Sequence, residues 1–307
     1  MIETNATLVH LNYKFATKSD RFMTKASVTG RGKAKFFGGI IFILFFLFAD
    51  WHHLSAEETD LLNPAERNCK TEQQDTGHAT VKADLSNPSD MIYQAYITEK
   101  MDLWREAMAI LEAEYRQSKN KHILYQLILA RYGYIGYSLG TENEQVAREQ
   151  ISLAEEEIDN LSGSLFLESS AYAIQAALYA YRISMAPWRA VFWGRRSMNL
   201  INKAIDTSPE NPHSWIEHGN AMFYAPSALG GSKEEAIKSY SRSINLMEAD
   251  MKETHRWLYL NTLVGLAKSY QEAENRSMAI ITYRKALEFE PDFKWVRDRL
   301  LPELLNE

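Results

Sequence analysis

The stretch that most constrains this chain is the 34-residue window 260–293, LNTLVGLAKSYQEAENRSMAIITYRKALEFEPDF. With Leu260 as position 1, large apolar residues fall at 4, 7, 11 and 24 (Leu263, Leu266, Tyr270, Tyr283). Small residues fall at 8, 20 and 27 (Ala267, Ala279, Ala286), and Pro291 stands at 32. Two antiparallel helices pack closely only where small side chains meet, with large ones filling the flanks. A proline then ends the second helix, because it cannot continue the hydrogen-bond ladder.

This pattern resembles the tetratricopeptide repeat (TPR). The resemblance implies an all-α fold, a right-handed superhelical array of antiparallel helix pairs (a TPR-like α-solenoid). Weaker copies precede it. Ala107 and Leu111 suit positions 20 and 24; Ala147, Ile151 and Ala154 suit 20, 24 and 27; Ser197, Ile201, Ala204 and Pro209 suit 20, 24, 27 and 32. With Pro212 as position 1, Trp215 and Gly219 fill 4 and 8, but Ala236 reaches position 20 five residues late. The surplus lies in the loop 225–231, a widened turn that is expected to project from the array and cover one end of its groove. About four or five pairs therefore span 89–307, with the helix 294–301 capping the open end before Pro302.

Local signals set the expected helices. Ser89 or Asp90 caps a first helix ending near Lys100, and Asp102 starts the second. The third runs about 121–139 despite Gly133 and Gly136, which weaken it by up to ~1 kcal/mol each; close helix contact explains them better than a ligand lying on bare backbone. Thr141-Glu142-Asn143-Glu144 reads as a capping box for the fourth. Tyr172 and Tyr179, seven apart, read as core. The run from Trp188 to Arg196 reads as a helix start with an apolar face and solvated arginines, although an anion or membrane-surface patch is the alternative.

The front of the chain reads as an address. Residues 36–49 are uncharged and strongly apolar, follow Lys25, Arg31, Lys33 and Lys35, and precede Leu54-Ser55-Ala56. Their length suits a signal-peptide core better than the ~20 residues of a spanning helix. Two readings stay open: a secretory signal cleaved after Ala56, or an uncleaved membrane anchor through 36–49. Both place the body in the periplasm or otherwise outside the cytoplasmic membrane, because the basic flank stays inside. Residues 1–22 add a mixed polar stretch that a start at Met23 would omit. Residues 1–56 thus form an extension with a signal or anchor, 57–88 a flexible polar linker, and 89–307 the repeat domain.

Charge and chemistry narrow the function. Residues 1–56 hold seven Lys/Arg against three Asp/Glu, so the remainder carries −10 of a net charge of −6. An acidic body argues against a nucleic-acid partner, which needs clustered Lys/Arg. Cys69 is the single cysteine, so no internal disulfide forms. His52-His53 lacks a third metal ligand of fitting spacing, and His213 and His218 lie off a common helical face. Gly230-Gly231-Ser232-Lys233 is too short for a phosphate loop and follows a helix. No nucleophile motif, metal motif or cofactor fingerprint appears, and the expectation is a non-enzyme with no cofactor and no metal.

The TPR resemblance also implies that the first helix of each pair lines a concave groove. The residues placed there are Asn220, Phe223 and Tyr224, then Asn261, Lys268 and Gln271. Asn220 and Lys268 can bond a peptide backbone or carboxylate, with Phe223 and Tyr224 packing its side chains. The Lys/Asn cluster of modules that grip chaperone C-termini is missing. The leading expectation is an interaction scaffold that holds a peptide segment or protein partner. The alternative is a periplasmic small-molecule carrier, resembling TPR proteins that accompany solute transporters.

Overall fold

The computed structural model describes residues 87–251 and 255–306. The run 36–49, Ala56, Cys69 and the linker as far as residue 86 lie outside the described residues. Eleven α-helices follow in order: α1 (Pro88–Thr98), α2 (Met101–Ser118), α3 (Lys121–Gly140), α4 (Glu144–Ile158), α5 (Leu165–Met185), α6 (Ala190–Thr207), α7 (Pro212–Tyr224), α8 (Lys233–Ala249), α9 (Arg256–Glu272), α10 (Arg276–Phe289) and α11 (Leu301–Asn306). Short 3₁₀ turns at Pro187–Arg189 and Ser227–Leu229 lead into α6 and α8, and a π turn at Trp295–Leu300 leads into α11. The described residues contain no strand. Successive helices pack as five antiparallel pairs, α1/α2 to α9/α10, and α11 with the π turn covers the end. The fold is a TPR-like array.

Side-chain caps fix most of the helix starts. The side-chain oxygens of Asn87, Asn120, Asn143, Ser164, Asn211, Ser232 and Asn275 each accept a backbone N–H of the first turn. Each such cap is worth about 1 kcal/mol. Three local expectations are corrected. α1 is capped by Asn87, with Pro88 in its first turn, where a missing N–H costs nothing. The 141–144 box is not used: the Thr141 hydroxyl donates back to the Tyr137 and Ser138 carbonyls, and Asn143 does the capping. Pro302 does not end the last helix, because it sits in the first turn of α11.

The packing explains the pattern read from the sequence. Ala267, Ala279 and Ala286 are fully buried, and so is Tyr283. Hydroxyls at small positions find carbonyls on the facing helix: Ser197 Oγ donates to Ala176 O at 2.9 Å, and Ser243 Oγ donates to Pro212 O at 2.9 Å. Tyr240 enters between α7 and α9, where a Cβ on Gly219 would lie 2.9 Å from its ring and one on Gly265 3.0 Å. A buried guanidinium ties α3 to α4: Arg131 reaches both Glu157 oxygens at 2.9 Å and Gln150 Oε1 at 2.8 Å.

The array does not stay open. It bends until α1 packs against α9. Tyr96 of α1 stands edge-on to Trp257 of α9, with centroids 5.9 Å apart, and lies 5.2 Å from Phe293. Trp104 of α2 meets Trp257 at 5.0 Å and 71°, and its indole N–H donates to Ala130 O at 3.0 Å. Polar contacts flank this cluster. Tyr93 donates to Glu290 at 2.7 Å, Tyr96 to Asn261 Oδ1 at 3.0 Å, and Arg299 to Glu99 at 3.0 Å. Gly133 makes room for the two indoles: a Cβ there would lie 2.6 Å from Trp104 and 2.9 Å from Trp257.

Three substitutions test the packing. Gly133→Ala, a gain in helix propensity, nonetheless lowers stability by about 1–3 kcal/mol through overpacking. Gly194→Ala in α6, where an added Cβ meets nothing within 4 Å, raises it by about 0.5–1 kcal/mol. Denaturant titration of both variants checks the opposite signs. Glu157→Ala strands the Arg131 guanidinium and costs about 3 kcal/mol, the low end for a broken buried pair since Gln150 and Glu112 remain; the same titration reads it.

Candidate functional site

The closure turns the concave side into a cavity of about 420 Å³. Its walls come from α1, α2, α3, α5, α7, α9 and the terminal π turn. Eight aromatic side chains line it, among them Tyr96, Trp104, Tyr132, Tyr181, Trp257 and Trp295. Gly136, Ala177 and Ala180 leave the space open by offering little side-chain bulk. Gly133 makes room for the two indoles and also borders the cavity, as Gly136 does. Tyr172 and Tyr179 are only partly buried and stand away from the cavity, under Lys203 and beside Trp193.

One face of α7 supplies the polar floor: Glu217, Asn220 and Tyr224, at i, i+3 and i+7. Glu217 is 3% exposed. Asn220 donates to its Oε2 at 3.3 Å, while Oε1 has no hydrogen bond and lies 3.4 Å from His213 Nε2. Neither ring nitrogen of His213 has a hydrogen-bond partner, and the buried Tyr224 hydroxyl also has none. Burial and the neighbouring Glu217 charge push the hydroxyls of Tyr132, Tyr181, Tyr224 and Tyr240 well above the usual phenol range, so they stay protonated. Glu142 and Glu144, both exposed, stand at the rim; Arg148 pairs with Glu144 at 2.9 Å. Among the described residues no Lys, Arg or His lines the cavity.

Of the six groove residues read from the sequence, Asn220, Tyr224 and Asn261 line this cavity. Asn220 also accepts from the Tyr240 hydroxyl at 2.6 Å. Phe223, Lys268 and Gln271 stand apart from it. Phe223 lies under the Lys233 ammonium, 3.9 Å from its ring; the Lys268 ammonium sits 5.1 Å over Trp295; Gln271 accepts from Tyr283 at 2.8 Å. Sequence reasoning missed Glu217, whose signal was its spacing to Asn220 and Tyr224. It also missed Trp257, which precedes the 34-residue window.

The loop 225–231 does not cover the cavity. It folds back on its own pair: Ser232 N–H bonds Met222 O at 2.9 Å, and Lys233 Nζ bonds Phe223 O at 2.6 Å. Gly231 is required there, because a Cβ would fall 1.8 Å from Ala225 O. The start of α6 also departs from expectation. Trp188, Val191 and Phe192 are 68%, 67% and 75% exposed, and Arg189 stacks 4.6 Å from both Trp188 and Trp193. Among the described residues no helix is long and apolar enough to cross a membrane.

No protein-family model and no curated protein matches the sequence. Solved structures do align with the chain, two of them as follows. The HusA haemophore from Porphyromonas gingivalis aligns at 18% identity over 66% of this chain and 96% of its own, with a TM-score of 0.46. A thermophilic TPR protein of Thermus thermophilus aligns at 18% identity over 73% of this chain and 100% of its own, with a TM-score of 0.47.

One titration is set by this packing. His255 faces Tyr125, 5.7 Å away, and burial, with His213 nearby as the smaller cause, holds its imidazole down at about 4. Between pH 6.5 and 4 the unfolded chain binds this proton and the folded chain does not, so stability falls as pH drops through that window. His255→Asn flattens the fall in melting temperature between pH 6.5 and 4; an unchanged slope assigns the loss to other groups.

Proposed function

We propose that this protein is a non-catalytic binding protein that holds a small ligand in the inner cavity, outside the cytoplasmic membrane. The observation that carries the reading is the packing of α1 on α9. It converts an open concave groove into an aromatic-walled cavity of about 420 Å³, within the ~300–1,000 Å³ of small-molecule sites. An extended peptide needs a continuous trough along the first helices, and the Tyr96–Trp257 contact crosses that trough. The small-molecule alternative is thus favoured over the peptide groove. The basic flank and apolar run at 25–49 support the extracytoplasmic placement.

Native mass spectrometry of the full chain, purified gently from its host, tests this. The expected spectrum shows a small non-covalent adduct at one per chain, absent from Ala180→Phe and Ser184→Trp, which fill the cavity. Retention of the adduct by both folded variants would move the site elsewhere. Capture of a peptide by the wild type and both variants alike would restore the scaffold reading.

A further inference from the structure

Resting on that reading, we infer that the ligand is a small organic cation, an amine or quaternary ammonium, received by Glu217 beneath a cage of aromatic rings. The lining is electrostatically one-sided. Glu142, Glu144 and Glu217 border the cavity, and among the described residues no basic side chain does. The aromatic walls add to this, because each ring presents a negative face that attracts a desolvated cation. One of these rings already receives a cation from the chain itself, the Lys268 ammonium 5.1 Å from the Trp295 centroid.

Glu217 supplies the deep anchor. It is buried, borders the cavity, and keeps one oxygen without a hydrogen bond. A carboxylate taken out of water is retained only where a partner compensates it. Its internal partners are incomplete: Asn220 at 3.3 Å serves the other oxygen, the Tyr132 hydroxyl stands within hydrogen-bonding reach of the carboxylate, and His213, at ion-pair distance of 3.4 Å, leaves Oε1 without a hydrogen bond. The orphan Tyr224 hydroxyl on the same floor offers a second polar contact. The neighbouring tyrosines remain neutral and add no charge of their own to the floor. An anionic ligand would meet Glu217 with no cationic side chain in the described lining to offset it, and Glu142 at the rim beside a Glu144 already paired with Arg148. The rival role for Glu217 is to pair with His213 alone.

Probes that share one phenyl ring and carry three charges separate these readings: benzylamine and the bulkier benzyltrimethylammonium, benzyl alcohol, and benzoate. Binding to the ligand-stripped full chain is read by calorimetry and by tryptophan fluorescence. The expected result is both cations at least tenfold tighter than benzyl alcohol, with benzoate weakest. Glu217→Gln removes most of that preference and leaves benzyl alcohol unchanged. If Glu217→Gln does not fold, the ranking in the unaltered chain decides. Benzyl alcohol or benzoate binding as tightly as the cations overturns the inference and leaves the cavity reading standing. Cations held equally by folded Glu217→Gln assign Glu217 to His213 and overturn it too. Failure of all four probes also overturns it; the cavity reading then stands or falls on the co-purified adduct.

Discussion

Everything about the site depends on the aromatic clasp between the first pair of helices and α9. Tyr96, Trp104, Trp257 and Phe293 meet there at centroid distances of 5.0–6.3 Å. Each such pair is worth about 0.5–1.5 kcal/mol beyond the area it buries. Single contacts of that size would not hold a solenoid bent. Several together, with the Tyr93–Glu290 and Arg299–Glu99 contacts at their edges, make closure cooperative. Gly133 is the permissive residue, since the indole of Trp104 fills the space its side chain would take.

Closure changes the chemistry available to a TPR-like array. An open groove offers wet side chains to an extended partner. Here the same inner helices surround a cavity with a buried carboxylate at its floor and no basic residue in its described walls. Low-dielectric surroundings strengthen whatever charge pairs with Glu217 and penalise leaving it alone. The proposed function rests on what the packing leaves incomplete.

The repeat pattern was legible because it is local. Spacing of alanines and tyrosines within 34 residues dictates how two helices touch, and the five pairs follow from it. Asn220, Tyr224 and Asn261 were legible for the same reason: they hold inward-facing positions of a repeat. Phe223, Lys268 and Gln271 share that pattern, but they engage Lys233, Trp295 and Tyr283 and do not border the cavity themselves. The closure was not legible. It joins residues about 160 apart in sequence, through a first helix that carries no repeat position of its own. Glu217 was hidden among 40 acidic residues, most of which read as solvated. Only the closure makes it interior. The capping at 141–144 failed because two overlapping signals, Thr141 and Asn143, compete for one helix start, and the preceding helix claims the threonine.

Native-state hydrogen exchange of α1 tests the closure most directly. In an open array a terminal helix frays and exchanges far faster than the interior pairs. The clasp predicts that amides from Met91 to Ile97 are protected to the same level as those of α9, and that Trp257→Ala lowers both together. Rapid exchange of α1 beside a protected α9 would contradict the closed cavity and return the inner surface to an open groove.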